Sequence, residues 1–421
     1  MRLAHISYSR LLCLSNRSRW ITKRGFQVTA ISGILPKSMN ERYKLAIFTA
    51  LAMLVLAGVM TGLSSSLLDI ASDFNIAPSR AGILYTLHFS GFLGLILLSL
   101  FFHGLQNRLR VVVLGAALYT VALAVAGLAG NLILLSAALF IAGGSGGLIE
   151  SHTATLQVMT SRDEAEAGRL VAITQTTFAV GALLTPVYLS LKETIGADWR
   201  KLFLALTVVT FISLLFGLRM KASRFSFVHG EGGTLLWRPL VRVAVAMALY
   251  VGAEVIIFGW APTVMELYHD IPLARARLAP TLFWIGMFAG RVVTARITGR
   301  FSPTALLRIT SLLGVFAAVL LALVSSEWLV WVSLGLASVA CAGIWPLIVA
   351  TTGSSGHETG TTITVAAGGL GAAVFPFLAG ITSEFLPGRF ILATAAPLLL
   401  GVYFLTRRSD AVPERAGTTR T

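Results

Sequence analysis

Twelve apolar stretches follow one another along the chain, at 45–67, 81–102, 111–130, 132–158, 170–190, 202–219, 241–264, 278–296, 305–325, 329–350, 361–383 and 390–406. A helix needs about 20 apolar residues to cross the hydrocarbon layer of a bilayer, and tilt absorbs any excess. Inside that layer every backbone N–H and C=O must be satisfied within the protein. For segments this long and this apolar, the solution is the α-helix. The pattern therefore predicts an all-α polytopic membrane protein with short loops. Composition excludes the alternative, since only 12% of the 421 residues are charged where a soluble domain carries about 25%.

The net charge of +15 lies in loops and tails rather than on one folded face. It reads as a topology signal, not as a nucleic-acid surface. Placing both termini inside puts most Lys and Arg on the inner side, with or without the tails. The expected setting is a bacterial plasma membrane, crossed many times by a chain that works as a monomer in the lipid bilayer. The two cysteines, Cys13 and Cys341, build no disulfide framework.

Five parts are expected. Residues 1–44 are a basic tail, with seven Lys/Arg and no acid up to residue 38. Such a tail suits an organellar transit peptide, or a segment lying on an anionic leaflet. The reading favoured here is a start placed too early, with Met39 opening the natural chain. Residues 45–219 and 241–406 form two six-span bundles. Residues 220–240 join them as a polar cytoplasmic linker containing Lys221, Arg224, Arg238 and a glycine-rich run, and 407–421 form a second tail.

An internal repeat supports the two halves. Thr86-Leu-His-Phe-Ser-Gly91 in the second span matches Thr281-Leu-Phe-Trp-Ile-Gly286 in the eighth, 195 residues on. Gly181-Ala-Leu-Leu-Thr-Pro186 in the fifth matches Gly371-Ala-Ala-Val-Phe-Pro376 in the eleventh, 190 residues on. Parallel six-span repeats meeting at a midplane site describe one well-known transporter architecture.

Three strongly ionisable side chains fall well inside spans: Glu150, Glu254 and Arg291. An intramembrane charge costs about 3 kcal/mol on insertion scales and marks a pathway or a relay by default. Glu150 follows four glycines in five residues, Gly143, Gly144, Gly146 and Gly147, which would let a neighbouring helix come close. A carboxylate withdrawn from water gains and loses a proton more readily near neutral pH, and proton coupling requires that. Glu150 and Glu254 are the candidate proton-coupling groups; the bland alternative is a structural hydrogen bond or an ion pair between helices.

Candidate solute contacts are His88, Gln175, Tyr250, Trp260 and Trp345. Tyr250 and Glu254 share a helix face at a spacing of four. Membrane tryptophans usually anchor at interfaces or fill the core, and the sharper reading of Trp345 is a platform for a sugar ring. Pro346 beside it suggests a broken helix lining a cavity. His88 is either a packing residue or a relay with Glu150. Gln175, Thr176 and Thr177 are interhelical glue or solute donors. Arg291 shares a face with Trp284 and is read as a cytoplasmic gate or lipid-phosphate contact, with Asn107 and Arg108 as further gating residues. No HExxH, CxxC or GxxxxGK[ST] is present, so no enzyme, metal, cofactor or ATP-driven pump is expected.

As a set, these motifs resemble the fucose–proton symporter branch of the major facilitator superfamily. Gly146-Gly-Leu-Ile-Glu150-Ser151 is similar to its fourth-span G-x-x-x-E-T. Tyr250-Val-Gly-Ala-Glu254 is similar to its Y-V-G-x-[EQ], Phe283-Trp-Ile-Gly286 to Gly290-Arg291 to its F-W-x-G…G-R, and Arg169-Leu170…Gln175-Thr176…Gly181-Ala182 to its fifth span. The resemblance implies twelve transmembrane helices in two pseudo-repeat bundles. It implies secondary transport of a small polar solute, a sugar among the candidates, with a proton handled by Glu150 and Gln175 near the cavity. Ser64 stands where the branch has an aspartate, Ala154 where it has an asparagine, and Asn107 where the superfamily's loop has an aspartate. Three other functions share the sequence: proton-coupled export of amphipathic compounds, uncoupled facilitation, and a non-transporting sensor.

Overall fold

The computed structural model describes residues 37–99, 105–160, 164–220, 237–297, 300–353 and 358–407. Among them the regular structure is helical, mostly α with short 3-10 segments at Pro78–Arg80 and Gly388–Thr394, and there are no strands. The N-terminal bundle contains α1 (Lys37–Asp73), α2 (Ile83–Ser99), α3 (Leu105–Gly127), α4 (Leu132–Thr160), α5 (Glu164–Ser190) and α6 (Trp199–Leu218). The C-terminal bundle contains α7 (Trp237–His269), α8 (Ala279–Ile297), α9 (Pro303–Leu323), α10 in two pieces (Glu327–Cys341 and Ile344–Gly353), α11 (Glu358–Thr382) and α12 (Ala395–Arg407). Ten of the helices are long and apolar enough to cross a membrane; α5 and α8 complete the twelve. Large apolar side chains such as Phe140, Phe211, Phe288 and Phe316 point outward, as a lipid-facing surface requires. The N-terminal tail and the linker lie outside the described residues, apart from their ends.

Local signals set several helix ends. Asp198 and Ser302 cap α6 and α9, accepting from the Lys201 and Ala305 amides at 2.9 and 3.2 Å. Asn131 does the same for α4 through the Leu134 amide at 2.8 Å. The break in α10 precedes Pro346, whose ring excludes the Ala342 carbonyl from a regular turn. The helix stops at Cys341 and resumes at Ile344, where the sequence led one to expect it.

Within each bundle the same neighbours pack. The pairs α2–α4, α1–α5, α3–α4, α3–α6 and α1–α6 recur as α8–α10, α7–α11, α9–α10, α9–α12 and α7–α12. The matched glycines do matched work. A Cβ on Gly181 would run into the Leu54 carbonyl of α1, and one on Gly371 into the Ala248 carbonyl of α7. The glycine cluster of α4 acts likewise: a Cβ on Gly143 would strike the His88 carbonyl, and one on Gly147 would lie 2.8 Å from the Phe92 carbonyl. Thus α2 and α4 touch backbone to backbone, as small residues allow.

Between bundles, α2 packs on α11, α5 on α8, and α1 on α7. Cross-bundle hydrogen bonds gather at one end, where α1 finishes and α2 begins. Ser64 Oγ donates to the Phe258 and Gly259 carbonyls at 2.7 and 3.1 Å, and Tyr85 Oη to the Gly259 carbonyl at 2.9 Å. Thr86 Oγ1 of α2 donates to the Ala373 carbonyl of α11 at 2.6 Å. Its repeat partner Thr281 of α8 donates to the Leu183 carbonyl of α5 at 3.1 Å. At the rim, Arg277 meets Asp69 at 2.6 Å and the Leu189 carbonyl at 3.1 Å, and Lys192 meets Asp69 at 2.7 Å. This end is closed.

Candidate functional site

Below the seal, midway along the helices, lies a cavity of about 120 Å³ between the bundles. One water needs roughly 10–15 Å³ in the same measure, so a solute of about ten heavy atoms fits. Both bundles contribute to its wall. From the N-terminal bundle come His88, Phe89, Phe92, Glu150 and Phe178; from the C-terminal bundle come Glu254, Phe258, Trp284, Arg291 and Trp345.

The packing of α4 explains where Glu150 stands. One turn before it, Gly146 faces Leu56 of α1 and Gly147 faces Phe92 of α2. Glu150 therefore leaves its helix between α1 and α2, where Leu56 and Phe92 line the cavity. Across the cavity Glu254 projects from α7, buried to 9% exposure, and the two carboxylates feel each other's charge. Tyr250, one turn below Glu254, is fully buried and does not line the cavity. Its phenol lies near the Glu254 side chain and donates to the Cys341 carbonyl at 3.0 Å, at the break in α10. Tyr250 thus ties α7 to the joint of α10.

Arg291 of α8, expected at a gate or a lipid headgroup, lines this cavity. Its charge acts on Glu254, yet among the described residues no carboxylate lies within 4.0 Å of it, and its Nε is buried without a hydrogen bond. Trp284, two turns earlier on α8, is 6% exposed. Its ring sits edge-on to Phe178 at 5.1 Å, and its Nε1 also lacks a partner. Trp284 and Phe178 were not among the expected contacts; the spacing of seven between Trp284 and Arg291 was the available signal.

The other expected residues divide. Trp345 and His88 line the cavity. The His88 ring is almost fully buried and makes no well-formed hydrogen bond through either nitrogen; the Leu139 backbone lies near it. Trp260 is not among the residues lining this cavity. It is fully buried, donates from Nε1 to the Pro376 carbonyl at 2.8 Å, and fills the space left by Gly82 and Gly380, so it packs the seam between α7, α11 and the start of α2. Gln175 lies in α5 and Asn107 in the first turn of α3, but both side chains fall outside the described residues. Arg108, half-buried at the start of α3, approaches His152 Nδ1 of α4 at 3.4 Å.

The sequence profile of the Major Facilitator Superfamily matches residues 47–367. No curated relative matches the chain. Among solved structures, the chain is similar to a D-xylose-proton symporter, with a TM-score of 0.72 at 15% identity over 90% of this chain and 99% of that one. It is similar to a bacterial homologue of the human lysosomal transporter Spinster, in an inward-facing and unoccupied conformation, with a TM-score of 0.67 at 14% identity over 89% and 98%. It is similar also to the transporter FucP in the outward conformation, with a TM-score of 0.58 at 15% identity over 86% and 98%. At these identities the likeness is one of fold.

Proposed function

The chain belongs to the major facilitator superfamily, and from that premise we propose that it couples the passage of one small organic solute to the passage of a proton carried by Glu150. It is a multi-pass membrane transporter, and its bundles rock about the cavity to expose it to either side in turn. The observation that carries the proposal is the position of Glu150: a carboxylate in a cavity shared by both bundles, facing a second carboxylate and a guanidinium that has no carboxylate within 4.0 Å among the described residues. Such a group takes up a proton when the cavity admits solute and gives it up when the bundles tilt the other way.

In this proposal both termini are cytoplasmic, in the plasma membrane of a bacterium. The sealed end at Thr86, Thr281 and Asp69 then faces outward. The resemblance to the fucose–proton branch suggests symport and a sugar, and the D-xylose-proton symporter is a neighbour in fold. A second reading, proton-coupled export of amphipathic compounds, is favoured by the aromatic wall of Phe89, Phe92, Phe178, Phe258, Trp284 and Trp345.

The test is proton movement in proteoliposomes on adding single solutes from a panel of sugars, sugar acids, aromatic acids and drugs, with Glu150→Gln beside the native chain. Symport predicts external alkalinisation by an active solute, lost in Glu150→Gln, while exchange of the labelled solute survives. A mutant that still moves protons removes Glu150 from the coupling role.

A further inference from the structure

We infer that the transported solute carries a negatively charged, acceptor-rich head, a carboxylate, which is received by Arg291 and Trp284, with an apolar body held by the aromatic wall. The inference rests on the transport reading above and narrows it to a class of substrate.

Three observations converge. Arg291 presents a guanidinium to the cavity with no carboxylate within ion-pair distance among the described residues, and its Nε is buried without a hydrogen bond. Trp284, on the same face of α8, also lines the cavity, and its Nε1 is buried without a hydrogen bond among the described residues. A buried donor without an acceptor is costly, and a transporter that meets the cost has use for the donor when solute arrives. Two unpaired donors, one of them a planar guanidinium, fit a carboxylate, for which arginine offers paired N–H groups.

The remaining wall argues for the body of the solute. Apart from His88, Glu150, Glu254 and Arg291, the described lining side chains are aliphatic or aromatic; none is a serine, threonine, asparagine or glutamine. A sugar ring carries several hydroxyls, each wanting both a donor and an acceptor, and this wall supplies few. An apolar chain or an aromatic ring meets Phe89, Phe92, Phe178, Phe258 and Trp345 without leaving polar groups unpaired.

The same charges link the anion to the proton. Glu254 is faced by Tyr250 from its own helix, Arg291 from α8, Cys341 from α10, Glu150 from α4 and His88 from α2. With both carboxylates ionised, the described lining carries one positive and two negative groups, which repels an anion. A proton bound by Glu150 removes one of the negatives. The solute carboxylate can then take the guanidinium as its counter-ion, so anion and proton load together.

Thermal unfolding of the full-length protein in detergent, with benzoate, phenylacetate and butyrate set against benzamide and L-fucose, tests this directly. At least one of the three carboxylates is expected to stabilise the native chain, with benzamide and L-fucose inert. Arg291→Gln should weaken that carboxylate at least tenfold and Arg291→Lys less, since it keeps the charge but not the planar pair of donors. Trp284→Phe, which keeps the ring and loses one donor, should weaken it about fivefold. Arg291→Lys and Trp284→Phe also guard against misfolding of Arg291→Gln. Stabilisation by none of the carboxylates, equal stabilisation by benzamide or L-fucose, or binding indifferent to Arg291 would overturn the inference. The two readings fail separately. If L-fucose drives protons through Glu150, the transport reading holds and the anion is wrong. If a carboxylate binds at Arg291 and nothing is translocated, the site stands and the transport reading falls.

Discussion

Asp69 at the end of α1 and Arg277 just before α8 lie 208 residues apart in sequence and join the two bundles through a 2.6 Å contact. Their side chains are 13% and 4% exposed. The Arg277 carbonyl also accepts from Ser65 Oγ at 3.0 Å, so backbone and side chain are both held from across the seam. Removing one partner of a desolvated pair leaves the other unpaired, at a cost of about 3 kcal/mol. Asp69→Asn should therefore favour opening at this end, by roughly a hundredfold in the ratio of states. Spin labels on the exposed Ser72 and Leu267 would report the change as a longer distance; an unaltered distribution would show that the pair does not hold the seal.

The two repeat threonines make a finer test. Thr86→Val and Thr281→Val each remove one donor from a cross-bundle bond and keep the shape. Each should weaken the closed end by about 1 kcal/mol. The same spin-label pair checks it, and a large effect from one with none from the other would break the equivalence of the two seams.

On α2, two glycines three residues apart should respond in opposite ways. A Cβ on Gly91 would collide with the Phe140 carbonyl of α4, while one on Gly94 meets nothing within 4 Å. Gly91→Ala should lower stability by about 1–3 kcal/mol through overpacking. Gly94→Ala should be neutral or raise it by up to about 1 kcal/mol, because alanine is the better helix former. Unfolding temperatures in detergent decide; equal behaviour would mean that α2 and α4 do not pack backbone to backbone.

The tryptophans of α7 and α10 separate stability from recognition. Trp260→Phe loses the bond to Pro376 and leaves a void by Gly82 and Gly380, so the unfolding temperature should fall while solute affinity holds. Trp345→Ala strips one wall of the cavity and should lower affinity with less effect on folding. Paired unfolding and binding measurements would expose the reverse pattern.

Much of this fold was legible because a bilayer permits so few solutions. The apolar runs predict the helices, and the matches at Thr86 with Thr281 and at Gly181 with Gly371 point to two like bundles. The break near Pro346 follows from proline's missing N–H. The three intramembrane charges were legible as well, because each is expensive to keep. Trp260 was not, since an indole filling a glycine-lined seam has the same local sequence as one facing solute. Asp69 with Arg277 was equally hidden: both sit at span edges, where charge is ordinary, and only the folded chain shows that they meet. Arg291 looked like a gate because it lies late in its helix, yet α8 carries it to the cavity.

The interruption of α10 reaches beyond the shape of one helix. Its first piece packs on α8 and α9, while the second carries Trp345 into the cavity. A continuous rod would have to carry that indole as cargo of the whole bundle. A jointed one can pivot it alone, and the Cys341 carbonyl at the joint is latched to Tyr250, one turn from Glu254 on α7. The aromatic wall and the helix that bears the second carboxylate thus meet at a single mechanical fulcrum, through which a solute pressing on Trp345 can be felt along α7.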